Sequence, residues 1–251
     1  MRGRRMCGIV RQAAHAAAVQ AGNLNVELAR AGFDIGLFTN RTDEQLRFWQ
    51  YEVGLAYDHL GKLGGGIHQH RHHLFGAVLK LNGARDPLPA LPPTGYRGLR
   101  IAEPGLGVAR ELLDPDGNRV TLVPPGDEGT RSYDLLLEVS DAERHARFFR
   151  DVLGLPLDAG GAVLVGDARL RFTGGVPIAR SPDWRGPGLR YITLQVRDAR
   201  AALAAALAGG AEAADPLREL GELVRFAFIR DPDGNFIELS ERTSFTGRPL
   251  C

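Results

Sequence analysis

One five-residue phrase occurs twice in this chain, and it limits the fold more than any other feature. Asp114-Pro115-Asp116-Gly117-Asn118 leads into Arg119-Val120-Thr121-Leu122, and Asp231-Pro232-Asp233-Gly234-Asn235 leads into Phe236-Ile237-Glu238-Leu239. Proline fixes φ, glycine and asparagine accept positive φ, and aspartate bonds its own backbone two residues on. Each copy therefore reads as a tight turn feeding a β-strand. The second strand carries a carboxylate, Glu238, where the first carries the hydroxyl of Thr121. A glutamate on a half-buried strand is a candidate metal ligand or general base.

The repeat extends upstream. Phe33-Asp34-Ile35-Gly36-Leu37-Phe38-Thr39-Asn40 parallels Tyr133-Asp134-Leu135-Leu136-Leu137-Glu138-Val139-Ser140, and Arg47-Phe48-Trp49 parallels Arg147-Phe148-Phe149. Gly54-Leu55 and Asp58 recur as Gly154-Leu155 and Asp158, all at an offset of 100 residues. The two turn phrases lie 117 residues apart, so the second half holds 17 more between its opening strand and its turn. A period this long excludes a solenoid and indicates two related domains. With 251 residues, 44% of them hydrophobic, each half is of ordinary domain size.

Each half shows the same order of elements. A strand at 33–39 precedes a helix beginning near Thr42, with Thr42-x-x-Gln45 in the form of a capping box; Ser140-x-x-Glu143 has the same form in the second half. Leu46, Trp49 and Val53 make one apolar helical face, as do Phe148, Phe149, Val152 and Leu153, and Gly54 and Gly154 end the helices. Short strands follow at about 56–63, 66–74 and 76–82, and at about 156–158, 162–166 and 168–173, giving β-α-β-β-β units. A second unit opens at Tyr191 and carries an Ala-rich helix over about 198–208. Its counterpart, Tyr96 to Val123, is shorter by about the length of that helix, which predicts that it lacks one.

Paired β-α-β-β-β units closing on Asp-Pro-Asp-Gly-Asn-x-Ile-Glu-Leu, with Phe-Phe-Arg-Asp-Val-Leu-Gly-Leu at 148–155, resemble the vicinal oxygen chelate superfamily, which includes glyoxalase I, extradiol dioxygenases and bleomycin-resistance proteins. The resemblance covers about 30–242. It implies an α+β fold of tandem βαβββ units forming two cup-shaped, curved mixed sheets, with an extension at 1–29, one domain at 30–126, a second at 130–242 and a tail at 243–251. Residues 1–24, rich in Arg and Ala and free of acids, read as a helical or frayed extension with a weak likeness to a transit peptide.

In that family, metal ligands come from the first and last strands of each unit. Mapped by spacing, the second-domain positions are Asp134, Arg171, Tyr191 and Glu238, and the first-domain positions are Asp34, Lys80, Thr121 and either Gly98 or Arg100. Only Glu238 matches the family's usual histidine and glutamate set. Asp134 can bind a hard cation, Tyr191 is a poor ligand, and Arg171 repels one. The cofactor the resemblance implies is a divalent metal (Fe, Mn, Ni or Zn), whereas this residue set predicts none tightly bound. Glu238 is a metal ligand, an acid–base group, or a cup-wall carboxylate paired with Arg171. Tyr191 donates a hydrogen bond to substrate or lines the wall.

A separate cluster, His68-Gln69-His70-Arg71-His72-His73, holds four of the seven histidines. Strand alternation puts His68, His70 and His72 on one face. Three readings stand: a polar row on a wall, substrate contact, or metal ligation. The expectation is that at least one ring points into the first cup, near its mouth, and titrates near the ordinary imidazole value.

The net charge of +1 excludes neither nucleic acid nor anionic membrane but gives no reason to expect either. The basic residues are almost all arginine, Lys62 and Lys80 excepted, and Cys7 and Cys251 form no disulfide framework. No stretch approaches the roughly 20 apolar residues of a membrane span. The functional expectation is a cytoplasmic enzyme of lyase or dioxygenase type, monomer or homodimer, acting on a small organic molecule with an altered or absent metal site. Asp134, Arg171 and the histidine row contact substrate; Glu238 and Tyr191 act on it. The alternative is a non-catalytic, drug-sequestering binding protein.

Overall fold

The computed structural model describes residues 26–177 and 179–250; the expected extension over 1–24 lies outside them. The first unit comprises β1 (Asp34–Thr39), helix α1 (Thr42–Arg47) running into a wider turn at Phe48–Glu52, β2 (Tyr57–Gly64), β3 (Ile67–Leu74) and β4 (Ala77–Ala84). In the wider turn Val53 N donates to Phe48 O at 3.0 Å, an i→i+5 bond. The second unit has only strands: β5 (Tyr96–Ala102), β6 (Arg110–Leu113) and β7 (Arg119–Val123). No helix lies between β5 and β6, as the shorter spacing predicts. The third unit comprises β8 (Tyr133–Glu138), α2 (Ala142–Arg147), β9 (Val163–Val165) and β10 (Ala168–Thr173). The fourth comprises β11 (Gly188–Gln195), α3 (Ala199–Ala208), β12 (Glu212–Leu220), β13 (Val224–Arg230) and β14 (Phe236–Arg242), followed by the short α4 (Thr243–Thr246).

The sheets do not follow the two halves of the sequence. The eight-stranded sheet runs β12-β13-β14-β11-β1-β4-β3-β2 and joins the first unit to the fourth; the six-stranded sheet runs β6-β7-β5-β8-β10-β9 and joins the second to the third. The joints are antiparallel, β1 on β11 and β5 on β8. Asp134 and Arg171 therefore lie in a different sheet from Tyr191 and Glu238, and the expected quartet of those four residues does not assemble. The physical reason is that β11 finds its neighbour in β1, which leaves β8 to pair with β5.

Equivalent residues meet where the duplicated units face each other. The Tyr133 hydroxyl donates to Phe33 O at 2.7 Å and accepts from Phe33 N at 3.0 Å, and the two rings pack edge to face at 5.2 Å. One continuous apolar core includes residues of both sheets, among them Ile35, Leu37, Leu79, Leu135, Leu137 and Ile237, with Trp49 and Phe149 fully buried beneath their helices. Truncating a ring such as Trp49 to alanine costs about 3–5 kcal/mol.

The two turn phrases are held crosswise. Gln45 is not a capping residue: its amide nitrogen donates to Asp114 (3.0 Å) and Asp116 (2.9 Å), and its oxygen accepts from Trp49 Nε1. At the equivalent place His145 lies 3.4 Å from Asp231 and 3.7 Å from Asp233. Each clamp reaches from one sheet to the turn of the other. In the second half the helix cap is Asp141, which accepts from Arg144 N, while Ser140 bonds Asp233. Both sequence-predicted capping boxes are thus replaced by contacts to a turn distant in sequence.

Candidate functional site

Strand parity separates two faces in the eight-stranded sheet. Ile35, Leu37, Leu79, Leu81, Ile192, Leu194, Ile237 and Leu239 belong to the core. Their alternates, Asp34, Gly36, Phe38, Lys80, Asn82, Tyr191, Thr193, Gln195, Glu238 and Ser240, line the concave side. Register then fixes the centre: Asp34 stands opposite Thr193, and Thr193 opposite Glu238. The fourth position is therefore Thr193, one alternation along β11 from the expected Tyr191.

Lys80 occupies the middle of this quartet. Its Nζ donates to Thr193 Oγ1 at 2.6 Å and to Glu238 Oε2 at 2.8 Å, and lies 3.5 Å from Asp34 Oδ2. Thr193 Oγ1 in turn donates to Glu238. Asp34 also accepts from Val78 N, Gln195 Nε2 and Arg30. Lys80 is 1% and Asp34 0% exposed, so these charges are paired away from solvent. Burial alone raises the Asp34 carboxyl, but Lys80 and Arg30 outweigh it and hold the group below the usual carboxylate range. Burial is also the first influence on Lys80, and it lowers the ammonium pKa; Glu238 and Asp34 only partly offset it. Glu238 thus faces Lys80, not Arg171 as expected, because Arg171 is in the other sheet.

The cup is aromatic at one end. Phe38, Tyr191, Phe228 and Phe236 form a cluster apart from the main core. Trp184 stacks on Phe228 at 4.8 Å and meets Tyr191 and Phe38 edge-on at 5.7 and 5.5 Å. The loop carrying Trp184 is anchored by buried Arg190, which donates to Ser181, Asp183 O, Trp184 O and Pro92 O. Tyr191 lies flat across the backbone of Gly36, where any Cβ would come within 2.1 Å of its ring. Its hydroxyl accepts from Asn82 at 3.4 Å. Burial, then the charge of Glu238, raises its pKa far above the ordinary phenol value, so it serves as a neutral hydrogen-bonding group.

The other end is polar and unsatisfied. Buried polar groups in folded proteins nearly always have partners. Here Arg71 Nε, Gln195 Oε1, Ser240 Oγ and Arg242 Nε are buried without a hydrogen bond.

The histidine row faces the opposite way from the expectation. The two-residue turn Phe75-Gly76, both at positive φ, sets His70 opposite Leu81, Arg71 opposite Lys80 and Gln69 opposite Asn82. Gln69 and Arg71 therefore face the cup, and His68, His70 and His72 face the helix side. His72 is fully buried, 3.3 Å from Gln50 Nε2 and edge-on to Tyr57 at 5.5 Å. Burial, then His70, pushes it down to about 4, and burial also lowers His70. Polarity at 69 and 71 fits because the cup itself is charged.

The six-stranded sheet presents the matching quartet Asp134, Arg171, Arg100 and Thr121, with Arg100 opposite both Asp134 and Thr121. Asp134 is taken up by Arg169, at 2.9 and 2.5 Å, and by Thr130 at 2.8 Å. Arg171 binds Glu128 at 2.9 Å.

Neither quartet suits a divalent ion. An ammonium fills the centre of one and a guanidinium stands at the same place in the other. Among the described residues no group of three His, Cys, Asp or Glu side chains is placed to hold a metal, and no helix is long and apolar enough to cross a membrane.

Sequence alone could have found Arg71: a two-residue turn at Phe75-Gly76 puts it opposite Lys80, already assigned to the cup. Strand alternation from Tyr191 and Glu238 likewise puts Thr193, Gln195 and Ser240 on the cup face, whereas Trp184, on a loop, carries no such signal.

Residues 134–239 match the sequence model described as Glyoxalase/Bleomycin resistance protein/Dioxygenase superfamily. No curated protein matches the chain in sequence. Among solved structures, glyoxalase I from Zea mays aligns with a TM-score of 0.65 at 17% identity, covering 88% of this chain and 94% of that one. A proposed dioxygenase from Bacillus subtilis subsp. subtilis str. 168 aligns with a TM-score of 0.61 at 12% identity, covering 88% and 86%. At these identities the likeness is one of fold.

Proposed function

We propose, from the premise that residues 134–239 belong to the Glyoxalase/Bleomycin resistance protein/Dioxygenase superfamily, that this chain binds a small organic molecule in the eight-stranded cup without a metal. The observation that carries this is Lys80 Nζ, seated among Thr193, Glu238 and Asp34 where the family's fold places a cation. The fixed ammonium supplies positive charge without an open coordination position. The aromatic end supplies an apolar wall for a planar group, with the half-buried Trp184 at its edge. Arg71 and Arg242, each with an Nε that makes no hydrogen bond, offer donors to an oxygen-bearing group at the other end, although Arg71 Nε also lies 3.9 Å from Asp58. Because Asp34 and Glu238 are both engaged by Lys80, neither is a free base, which favours holding a ligand over abstracting its proton.

A second reading is an enzyme of lyase type. Its support is the lowered Lys80 pKa beside Glu238, a pair able to exchange a proton. No step is routed through a metal, because the ligand set does not fit one.

The test is elemental analysis of freshly purified protein, combined with titration of aromatic carboxylates such as benzoate against Trp184 fluorescence. Substoichiometric metal, quenching on titration and recovery of unchanged ligand are the expected results. Conversion of the ligand points to the enzyme. A stoichiometric metal that is lost in E238Q overturns the metal-free reading.

A further inference from the structure

The six-stranded cup holds a feature that binding in the other cup does not use. Arg100 and Arg171 stand on β5 and β10, on either side of β8, and both reach a single loop between β7 and β8. Arg100 Nη2 donates to Asp127 at 2.5 Å and lies 3.7 Å from Glu128; Arg171 Nη1 donates to Glu128 at 2.9 Å. Outside that loop Arg171 lies 3.7 Å from Asp134, a carboxylate that Arg169 already holds at 2.9 and 2.5 Å. Arg100 Nε is buried with no partner at all.

The loop is held under strain to deliver this carboxylate. Glu128 adopts φ 45°, ψ 27°, a left-handed conformation unfavourable for a side chain with a Cβ, between Gly126 at φ 89° and Gly129 at φ 81°. Its own bonds, Gly126 N to Thr130 O at 2.7 Å and Gly129 N to Gly126 O at 2.9 Å, make it compact, and Arg169 anchors its backbone by donating to Glu128 O at 2.8 Å, which leaves the Glu128 side chain as the exchangeable part. The Glu128 side chain is 57% exposed although it is the partner of both arginines. A cleft of about 680 Å³ opens beside it, lined by Glu128, Arg169, Arg171, Arg147 and Asp158 among others. A solvent-accessible carboxylate on a strained loop, bound to Arg171 at the wall of a cleft and within 3.7 Å of Arg100 behind it, has the geometry of a resident substitute for an external anion.

We propose that the six-stranded cup is a second binding site, for a small organic anion bearing a carboxylate or a phosphate monoester, and that Glu128 is a built-in occupant which this ligand displaces. The Arg100–Arg171 pair takes the incoming oxyanion as a two-pronged clamp. Release of Glu128 relaxes the loop, so binding and loop conformation are coupled.

Calorimetric titration of the full chain with inorganic phosphate and, separately, with malonate tests this. Wild type should bind one of the two weakly, E128Q should bind it about tenfold more tightly because the competing charge is gone, and R100Q/R171Q should lose it. A preference for phosphate identifies the phosphate monoester class; a preference for malonate identifies the carboxylate class. R100Q/R171Q should keep wild-type quenching of Trp184 by benzoate, which separates failure here from failure of the metal-free reading. The proposal is overturned if E128Q binds neither anion more tightly than wild type, or if R100Q/R171Q, folded by circular dichroism, retains wild-type affinity.

Discussion

The two cups began as copies and solve the same electrostatic problem in different ways. In the eight-stranded cup, a lysine ammonium is sunk between two carboxylates and a hydroxyl, with almost no solvent access. In the six-stranded cup, Arg171 at the same position is a third exposed, and its partner sits on a surface loop. One cup has its compensating charges built into strands and is walled by aromatics. The other takes them in part from a surface loop, through a glutamate side chain that is 57% exposed. A duplicated scaffold can therefore keep one fixed charged centre and one exchangeable one, and burial of the partner decides which is which.

The largest expected difference is in stability. K80M leaves Glu238 a buried carboxylate without its cation and Asp34 with Arg30 as its remaining one, and should cost about 3–5 kcal/mol. R171M exposes only a solvated pair and should cost under about 1 kcal/mol. Urea denaturation of both variants measures this. Equal costs would remove the distinction between the cups. The double variant K80M/E238Q should recover part of the loss.

Next comes pH. His72 is held down to about 4 from the ordinary 6.5. Its folded value is below its unfolded one, so the stability it contributes is present above pH 6.5 and is lost as pH falls toward 4. The loss is about 2–3 kcal/mol, and H72Q should show a correspondingly smaller change between those two pH values. His145 has the opposite sign. Burial alone would lower it, but the hydrogen bond and charge of Asp231 raise it. Its contribution is full below the ordinary imidazole value and is lost as pH rises through the folded value. H145Q, which gives the second clamp the residue of the first, should abolish that alkaline decline while keeping the turn in place.

A smaller effect sharpens the contrast between the cup floors. G36A drives a Cβ into the Tyr191 ring and should cost about 1–3 kcal/mol, with altered near-ultraviolet dichroism from the aromatic cluster. The equivalent L136A in the other cup, where a side chain is already accommodated, should leave that signal unchanged.

Much of the architecture was legible because turns and alternation are local. The repeated Asp-Pro-Asp-Gly-Asn phrase marked the last strands, and the short stretch 96–123 correctly implied a unit without a crossover helix. Strand partnership was not legible: β1 and β11 are linked only by register across some 150 residues, and neither sequence names its neighbour. That is why spacing alone groups Asp134 and Arg171 with Glu238, and why it points to Tyr191 where the structure has Thr193. The histidines misled for another reason. Polar rings are expected to avoid the helix side, yet His72 is buried there with its pKa lowered by burial, while Arg71 points into a cup whose charges accept it.

The crosswise joining of units also bears on kinetics. The six-stranded sheet unites neighbours in sequence, with β5 and β8 separated by one short unit, whereas β1 must wait for a partner made late in the chain. Local contacts form before distant ones. The middle of the chain should therefore nucleate, with the outer units closing around it. Substitutions in the β5–β8 joint, such as L99A or L135A, should mainly slow refolding, and those in the β1–β11 joint, such as I35A or I192A, should mainly speed unfolding. Stopped-flow chevrons of the two sets would read the order directly, and the lifetime of the folded state would then be set by the seam that closes last.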